Sequence, residues 1–461
     1  MKDHPYFIKF NEMKSRKHVR HIGNITLRIR AFYFIYFIFL GPILTRSQNL
    51  YFPPPGNGIW DTIGVNALGW CPDKIDTLVN FAGEKNTKSL LILVNGRIAL
   101  EKYYGNFTQN DFWYWASAGK TITAFLTGIA QQENVLNIDS ATSNYLGTGW
   151  TSAPPNKEKL IKVYHHLTMT TGLDYNGDFF CAEDTCLNYL SDAGDFWFYY
   201  EAPYKVLMRL IEVATNTNFN AYTDIKLEQP IGMQGGFWLG ELYFSSTRDA
   251  ARFGLLILNN GNWNGTPVLA DQQYFNQMVN TSQIHNKSYG YLWWLNGKEN
   301  YMVPGFPFQF PGKLFPDGPD DLIAALGADD QKIYVIPSKN MVVVRFGEAA
   351  GPPSLAVSSF DNQLIKRIMD LPCVSTSIET SMLKLIDFFP NPTDKFIYIS
   401  GLPDNFAGTI TIFNELGQKL IQEHKSGSQF DIDVSQFSSN IYIIQVIAVT
   451  GEMITRKFIK Q

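Results

Sequence analysis

The sequence predicts an α+β fold: one antiparallel sheet completed by both ends of a long domain, a helical region inserted between those ends, and a small β-sandwich after it. Three observations carry this prediction. Residues 90–103 and 332–346 each read as two strand-like runs around a tight turn. Between them lie stretches with apolar residues at helical spacing. From about Leu385 the pattern changes to short alternating segments separated by Gly, Pro, Asn and Asp.

Composition sets the outer bounds. A chain of 461 residues with 45% hydrophobic and 17% charged residues exceeds one ordinary domain and can bury a sizeable core. A formal net charge of -4, with no concentrated basic face outside the leader, excludes nucleic acid as a partner.

Residues 1–48 read as an export signal. Lys14, Arg16, Lys17, Arg20, Arg28 and Arg30 precede the apolar run Ala31 to Leu44, which is short for a membrane span and interrupted at Gly41-Pro42. Cleavage is expected near Thr45 to Gln48, and Met13 is an alternative start.

Residues 49–372 form the main domain. Leu90 to Val94 and Arg97 to Tyr103 flank Asn95-Gly96, a pair that tolerates positive φ and so predicts a hairpin. Thr121 to Gln131 carries Ile122, Phe125, Leu126 and Ile129 on one helical face, and Tyr204 to Ala214 carries Leu207, Leu210 and Ile211 likewise. Lys332 to Ile336 and Met341 to Phe346 flank Pro337-Ser338-Lys339-Asn340 as the second hairpin. A polar stretch over 373–384 reads as a linker, and 385–461 as the sandwich.

Four cysteines occur, Cys71, Cys181, Cys186 and Cys373, without a CxxC pair or a His-rich cluster. That spacing predicts no metal site. In an exported chain an even count reads as disulfides, and Cys181 with Cys186 can close a small loop.

The chemistry rests on Ser117-Ala118-Gly119-Lys120, which opens the first predicted helix. Positions three apart share a helical face, so the lysine amine comes beside the serine hydroxyl. Partial burial lets such a lysine lose its proton near neutral pH and act as the base that a serine nucleophile needs. Ser381-Met382-Leu383-Lys384 has the same spacing but falls in the linker. A Ser-His-Asp triad is the weaker reading, because no Gly-x-Ser-x-Gly elbow accompanies the few histidines.

With Ser117 and Lys120 following a hairpin and the aromatic run Phe112 to Trp115, residues 90–347 resemble the superfamily of serine beta-lactamases, penicillin-binding proteins and related esterases. Supporting stretches are His165 to Leu173, Ser246 to Gly254 and Tyr289 to Trp294, in the family's order. The resemblance implies an acyl-enzyme on Ser117, Lys120 as base, and a tyrosine from a Tyr-x-Asn element as proton relay, with no cofactor. Tyr199 matches that tyrosine, with Tyr200 as its neighbour and rival. The relay asks for a phenol pKa lowered by nearby positive charge. Glu201 replaces the family's asparagine, and its carboxylate can pair with Lys120 and keep it protonated.

Ala325 to Gln331 resembles the Gly-x-x-Gly-Gln strand of the branch containing aminohexanoate-oligomer hydrolases, with Asp330 in place of the second glycine. Gly327, Ala328 and Gln331 are then the oxyanion and substrate-binding residues, the Ala328 amide being the second oxyanion donor. Ala325 stands where relatives carry a lysine for a substrate carboxylate. This favours a small-molecule or peptide-like ester or amide substrate over penicillins. The alternatives are a catalytically inactive binding protein on the same scaffold, motivated by Glu201 and Asp330, and a penicillin-binding D-alanyl-D-alanine carboxypeptidase. Family architecture also brings Cys71 and Cys373 together, because the terminal strands share one sheet.

Phe389-Pro390-Asn391-Pro392, Glu415 to Lys419, Asn440-Ile441-Tyr442 and Arg456 to Lys460 together resemble the C-terminal sorting domain of type IX secretion. The implied partner is that secretion machinery, and the implied location is the medium or the cell surface.

Overall fold

In the computed structural model, residues 50–56, 58–352, 355–373, 386–449 and 453–461 are described. The leader over 1–48 and the Ser381 to Lys384 stretch lie outside them. The longer elements of the main domain are α1 (Pro72–Glu84), β1 (Thr87–Val94), β2 (Arg97–Tyr103), β3 (Phe112–Tyr114), α2 (Lys120–Gln132), α3 (Ala202–Thr215), β4 (Phe237–Leu239), β5 (Leu242–Ser246), α4 (Thr247–Leu258), β6 (Trp294–Leu295), β7 (Ile323–Gly327), β8 (Gln331–Ile336), β9 (Met341–Gly347) and α5 (Ser359–Met369).

Both hairpins form where the turn chemistry puts them. Asn95 and Gly96 take φ of 52° and 77°, and Asn340 takes 46°, so each turn uses residues that accept the left-handed region. The hairpins join through β1 and β9, whose register runs from Thr87 opposite Gly347 to Val94 opposite Met341. The resulting antiparallel sheet has the order β2-β1-β9-β8-β7-β6. The sheet is therefore made by the two ends of the domain, with the helices and the small sheet β3-β5-β4 between them in sequence.

Successive strand residues face opposite sides. Ile333 and Val342 meet α4, while Lys332 and Tyr334 meet Asp361 of α5. Burial on both faces explains why β8 and β9 are near-continuous apolar runs rather than alternating ones. At the domain's ends, Trp70 bridges to Pro372, the Cys71 amide donates to Leu371 O at 2.9 Å, and the Cys373 amide donates to Gly69 O at 2.7 Å. A disulfide joins Cys71 to Cys373 across these contacts.

A second buried cluster belongs to the C-terminal residues. Strands Asp387–Phe389, Phe396–Ser400 and Phe430–Asp433 form one sheet, and Lys419–Ser426, Ala407–Phe413, Asn440–Ala448 and Met453–Lys460 form another. Ile397, Ile399, Ile410, Ile412, Tyr442, Ile444 and Val446 point into the shared core at every second position, the period that a half-buried strand requires.

Candidate active site

Ser117 lies in the short turn Ala116–Gly119 between β3 and α2. Trp115, fully buried, fixes this turn: its backbone amide donates to Tyr243 O at 2.8 Å and its indole donates to Ser245 Oγ at 2.9 Å. Ala116 then takes a φ of 47°, a conformation that costs a non-glycine residue about 1–3 kcal/mol and sharply redirects the chain. The consequence is a half-buried Ser117 on the wall of a cavity of about 380 Å³, with Lys120 at the start of α2 beneath it.

Lys120 is 1% exposed, and its ammonium donates to Ser117 Oγ at 2.8 Å and to Glu201 Oε1 at 2.8 Å. It also lies over the Tyr199 and Tyr204 rings, 5.1 Å and 4.2 Å from their centroids. Burial, the largest single influence, acts to strip its proton, but the Glu201 carboxylate and Tyr199 together act the other way, and the net shift is upward. The expectation of a lysine ready to deprotonate near neutral pH is corrected accordingly: in this resting arrangement Lys120 is held as a cation.

Tyr199 is buried beside this pair. Its hydroxyl faces Ser117 and Lys120, and burial raises its pKa against the opposing influence of Lys120 and Ser117. A lowered phenol pKa, which the relay role asks for, is not what this environment produces. Tyr200 points elsewhere, sharing a hydrogen bond with Thr171 Oγ1 at 3.0 Å.

The opposite wall comes from the end of β7. A Cβ on Gly327 would sit 2.3 Å from Trp115 O, so only glycine lets this strand approach the Ala116–Gly119 turn so closely. That approach places Ala328 on the cavity wall with Ser117. Asp329 and Asp330 follow at φ of 55° and 60°. Asp329 accepts from the Tyr114 hydroxyl at 2.9 Å. Asp330 faces the α5 side: its carboxylate accepts from the Ala350 amide at 2.9 Å and Ser358 Oγ at 2.6 Å, and pairs with buried Lys332 at 3.2 Å. It therefore does not crowd the cavity, and only Glu201 of the two carboxylates stands beside Lys120 and Ser117.

Gln331 is not on the cavity wall. Its amide is consumed by the backbone, donating to Gly347 O at 2.6 Å and accepting from Gly347 N at 3.1 Å, so it clasps β8 to β9 instead of meeting a substrate.

Several wall residues carry no sequence signal of their own. Phe179 and Phe180 precede the Cys181–Cys186 disulfide, and the Glu201 amide donates to Phe179 O at 3.3 Å. Lys205, Glu241, Leu242, Pro304 and Leu355 complete the wall. Lys205 is paired with Glu241 at 2.8 Å and donates to Phe180 O at 2.8 Å. Tyr204 could have been found, since it lies three residues after Glu201 in the first turn of α3 and so shares its face. A separate cavity, also about 380 Å³, has Asp139, Lys162 and His165 on its wall but no serine.

Residues 85–365 match the family described as Beta-lactamase, and residues 387–461 match the one described as Secretion system C-terminal sorting domain. The second match marks the chain for export by type IX secretion to the cell surface or the medium. Among solved structures, a "putative beta-lactamase" from Bacteroides dorei superposes with a TM-score of 0.53 at 16% identity, over 66% of this chain and 99% of that one. A "putative 6-aminohexanoate-dimer hydrolase" from Bacillus anthracis gives 0.52 at 15% identity, over 70% and 89%. These likenesses show a beta-lactamase/transpeptidase-like fold. No curated protein matches the chain by sequence.

Proposed function

Since the chain belongs to the beta-lactamase family, we propose that it is an exported serine hydrolase that cleaves an ester or amide bond through an acyl-enzyme on Ser117. The carrying observation is the 2.8 Å hydrogen bond between Lys120 Nζ and Ser117 Oγ on the wall of a cavity large enough for a small molecule.

In the reactive form Lys120 is neutral. Ser117 Oγ attacks the carbonyl carbon as its proton passes to Lys120, and the carbonyl electron pair moves onto oxygen. The backbone amides of Ser117 and Ala328 flank that oxygen, and the N-terminus of α2 favours its negative charge. The leaving alcohol or amine departs with the proton held by Lys120, handed on through Tyr199 as a neutral hydroxyl, a route that needs no ionised phenol. Water then repeats the sequence on the acyl-enzyme and releases the acid.

Penicillins and peptidoglycan stem peptides present a carboxylate. Here Ala325 is a fully buried strand residue, and the Lys205 ammonium on the cavity wall is already paired with Glu241. An ester or amide without that carboxylate suits this wall better. The inactive-scaffold alternative loses half of its motive, because Asp330 is directed away from the cavity.

Replacing Ser117 by alanine should abolish turnover of small nitrophenyl esters while circular dichroism stays that of the parent protein. Lys120→Ala should lower kcat by about two to four orders of magnitude. Undiminished turnover in Ser117→Ala would overturn the assignment.

A further inference from the structure

The small sheet β3-β5-β4 has two unlike faces. Its registers place Tyr114 opposite Phe244 and Phe244 opposite Phe237, with Leu242 opposite Leu239. Trp238, Tyr243 and Ser245 point into the core. The outward positions are Phe112, Tyr114, Phe237, Leu239, Leu242 and Phe244, apart from Ser246, which caps α4. Phe112, Phe237, Leu239 and Leu242 are 37%, 43%, 67% and 43% exposed. An antiparallel sheet with one face in the core normally carries polar residues on the other, and a contiguous exposed apolar patch marks a binding surface.

The rings are ordered into a strip. Phe112 lies 6.1 Å from Phe237, Phe237 stacks on Phe244 at 5.2 Å and 5°, and Phe244 lies 6.3 Å from Tyr114. One end of this surface runs into the cavity that holds Ser117, and the other borders it. Leu242 belongs to the cavity wall as well as to the outward face, and the Tyr114 hydroxyl is bonded to Asp329, the residue after Ala328. Inside the cavity the wall continues as Phe179, Phe180, Pro304 and Leu355.

From this continuity we infer that the outward face of β3-β5-β4 is an extended subsite for the apolar chain of the substrate, and that the substrate class is uncharged esters or amides with a long alkyl or aromatic group. The inference rests on the hydrolase reading and deepens it. The reacting carbonyl sits at Ser117, and the part of the chain too long for the cavity leaves past Leu242 and lies along Leu239, Phe237 and Phe244. The occupant is a single dissolved substrate molecule rather than a lipid aggregate, because Leu242 belongs both to this face and to the wall of the cavity that holds Ser117, so the face continues into an enclosed site.

The test is a series of nitrophenyl esters from acetate to dodecanoate, each below its critical micelle concentration, with full-length protein and the surface variants Phe237→Ser and Leu239→Ser. The readout is the ratio of kcat/KM for dodecanoate over acetate. The wild type should favour the long ester, and each variant should lower the ratio roughly five- to tenfold, the scale of partly burying one apolar side chain. An unchanged ratio in both variants overturns the subsite. So does a wild-type rate that jumps only above the micelle concentration, which would make the face a lipid-aggregate dock. Fluorophosphonate labelling of Ser117 separates the two levels: labelling without chain-length selectivity rejects the subsite alone, and no labelling rejects the hydrolase reading and the subsite with it.

Discussion

Around Lys120, burial and charge pull in opposite directions, and their balance sets the pH at which the site works. Burial favours the neutral amine, the Glu201 carboxylate 2.8 Å away and Tyr199 favour the cation, and together they outweigh burial. Turnover that needs neutral Lys120 must therefore rise on the alkaline side. Replacing Glu201 by asparagine removes the larger raising influence and leaves burial opposed by Tyr199 alone, so the Lys120 pKa should fall, the alkaline rise should move to lower pH, and the rate near neutrality should increase. A pH profile of kcat/KM measures this; a rise that stays in place, or a loss of activity, would show that Glu201 does not act by holding Lys120 protonated. The Ser117 and Lys120 pair was legible because three residues of spacing at a helix start dictate proximity. The charge state of Lys120 and the phenol pKa of Tyr199 were not, because both depend on opposed effects whose sizes only the folded environment sets. Gln331 misled for a related reason: strand position was readable, but its use as a clasp on Gly347 depends on the facing strand.

Hairpins and long amphipathic helices were legible because their signals are local: Asn95-Gly96 and Asn340 supply turn geometry, and α2 and α3 repeat apolar residues with the helical period. The sheet β3-β5-β4 was not, since strands of three to five residues carry too few positions for a period to show. The turn after β7 shows how an element overrides local preference. Asp330 sits at a φ of 60°, which costs an aspartate less than about 1–2 kcal/mol more than glycine, yet its buried carboxylate holds Lys332, Ser358 and the Ala350 amide. Lys332 in turn donates to Ala356 O at 2.7 Å, on the cavity wall. Lys332 keeps Asp361 at 3.0 Å when Asp330 is removed, but the Ser358 hydroxyl and the Ala350 amide lose their charged acceptor, and hydrogen bonds to charged groups contribute about 1.5–3 kcal/mol, so the tether outweighs the strain. Asp330→Gly should lower the unfolding free energy by about 2–3 kcal/mol in urea denaturation, although glycine relieves the backbone. Equal or greater stability would show that the carboxylate network is not what holds this turn.

At the scale of the whole molecule, the chain joins a beta-lactamase-family domain closed by its own two ends to a β-sandwich that matches a secretion sorting domain. The Cys71–Cys373 disulfide spans a sequence separation of 302 residues, and in the chain-entropy picture a loop that long contributes up to about 5 kcal/mol, far more than the separation of 5 between Cys181 and Cys186. The double variant Cys71→Ser with Cys373→Ser should therefore lose about 2–5 kcal/mol of unfolding free energy, and Cys181→Ser with Cys186→Ser clearly less. Equal losses in the two double variants would place the stabilisation elsewhere. The architecture was legible at this scale because each part has its own period and punctuation, whereas the cavity was not, since its walls come from segments as distant as Phe179, Leu242, Pro304 and Leu355. The central claim, a reactive nucleophile at Ser117, is tested most directly by treating the full-length protein with a fluorophosphonate and mapping the adduct by peptide mass spectrometry. The account predicts a single covalent adduct on the peptide bearing Ser117, absent in Ser117→Ala and strongly slowed in Lys120→Ala; no adduct on folded protein, or an adduct on another residue that persists in Ser117→Ala, would contradict it.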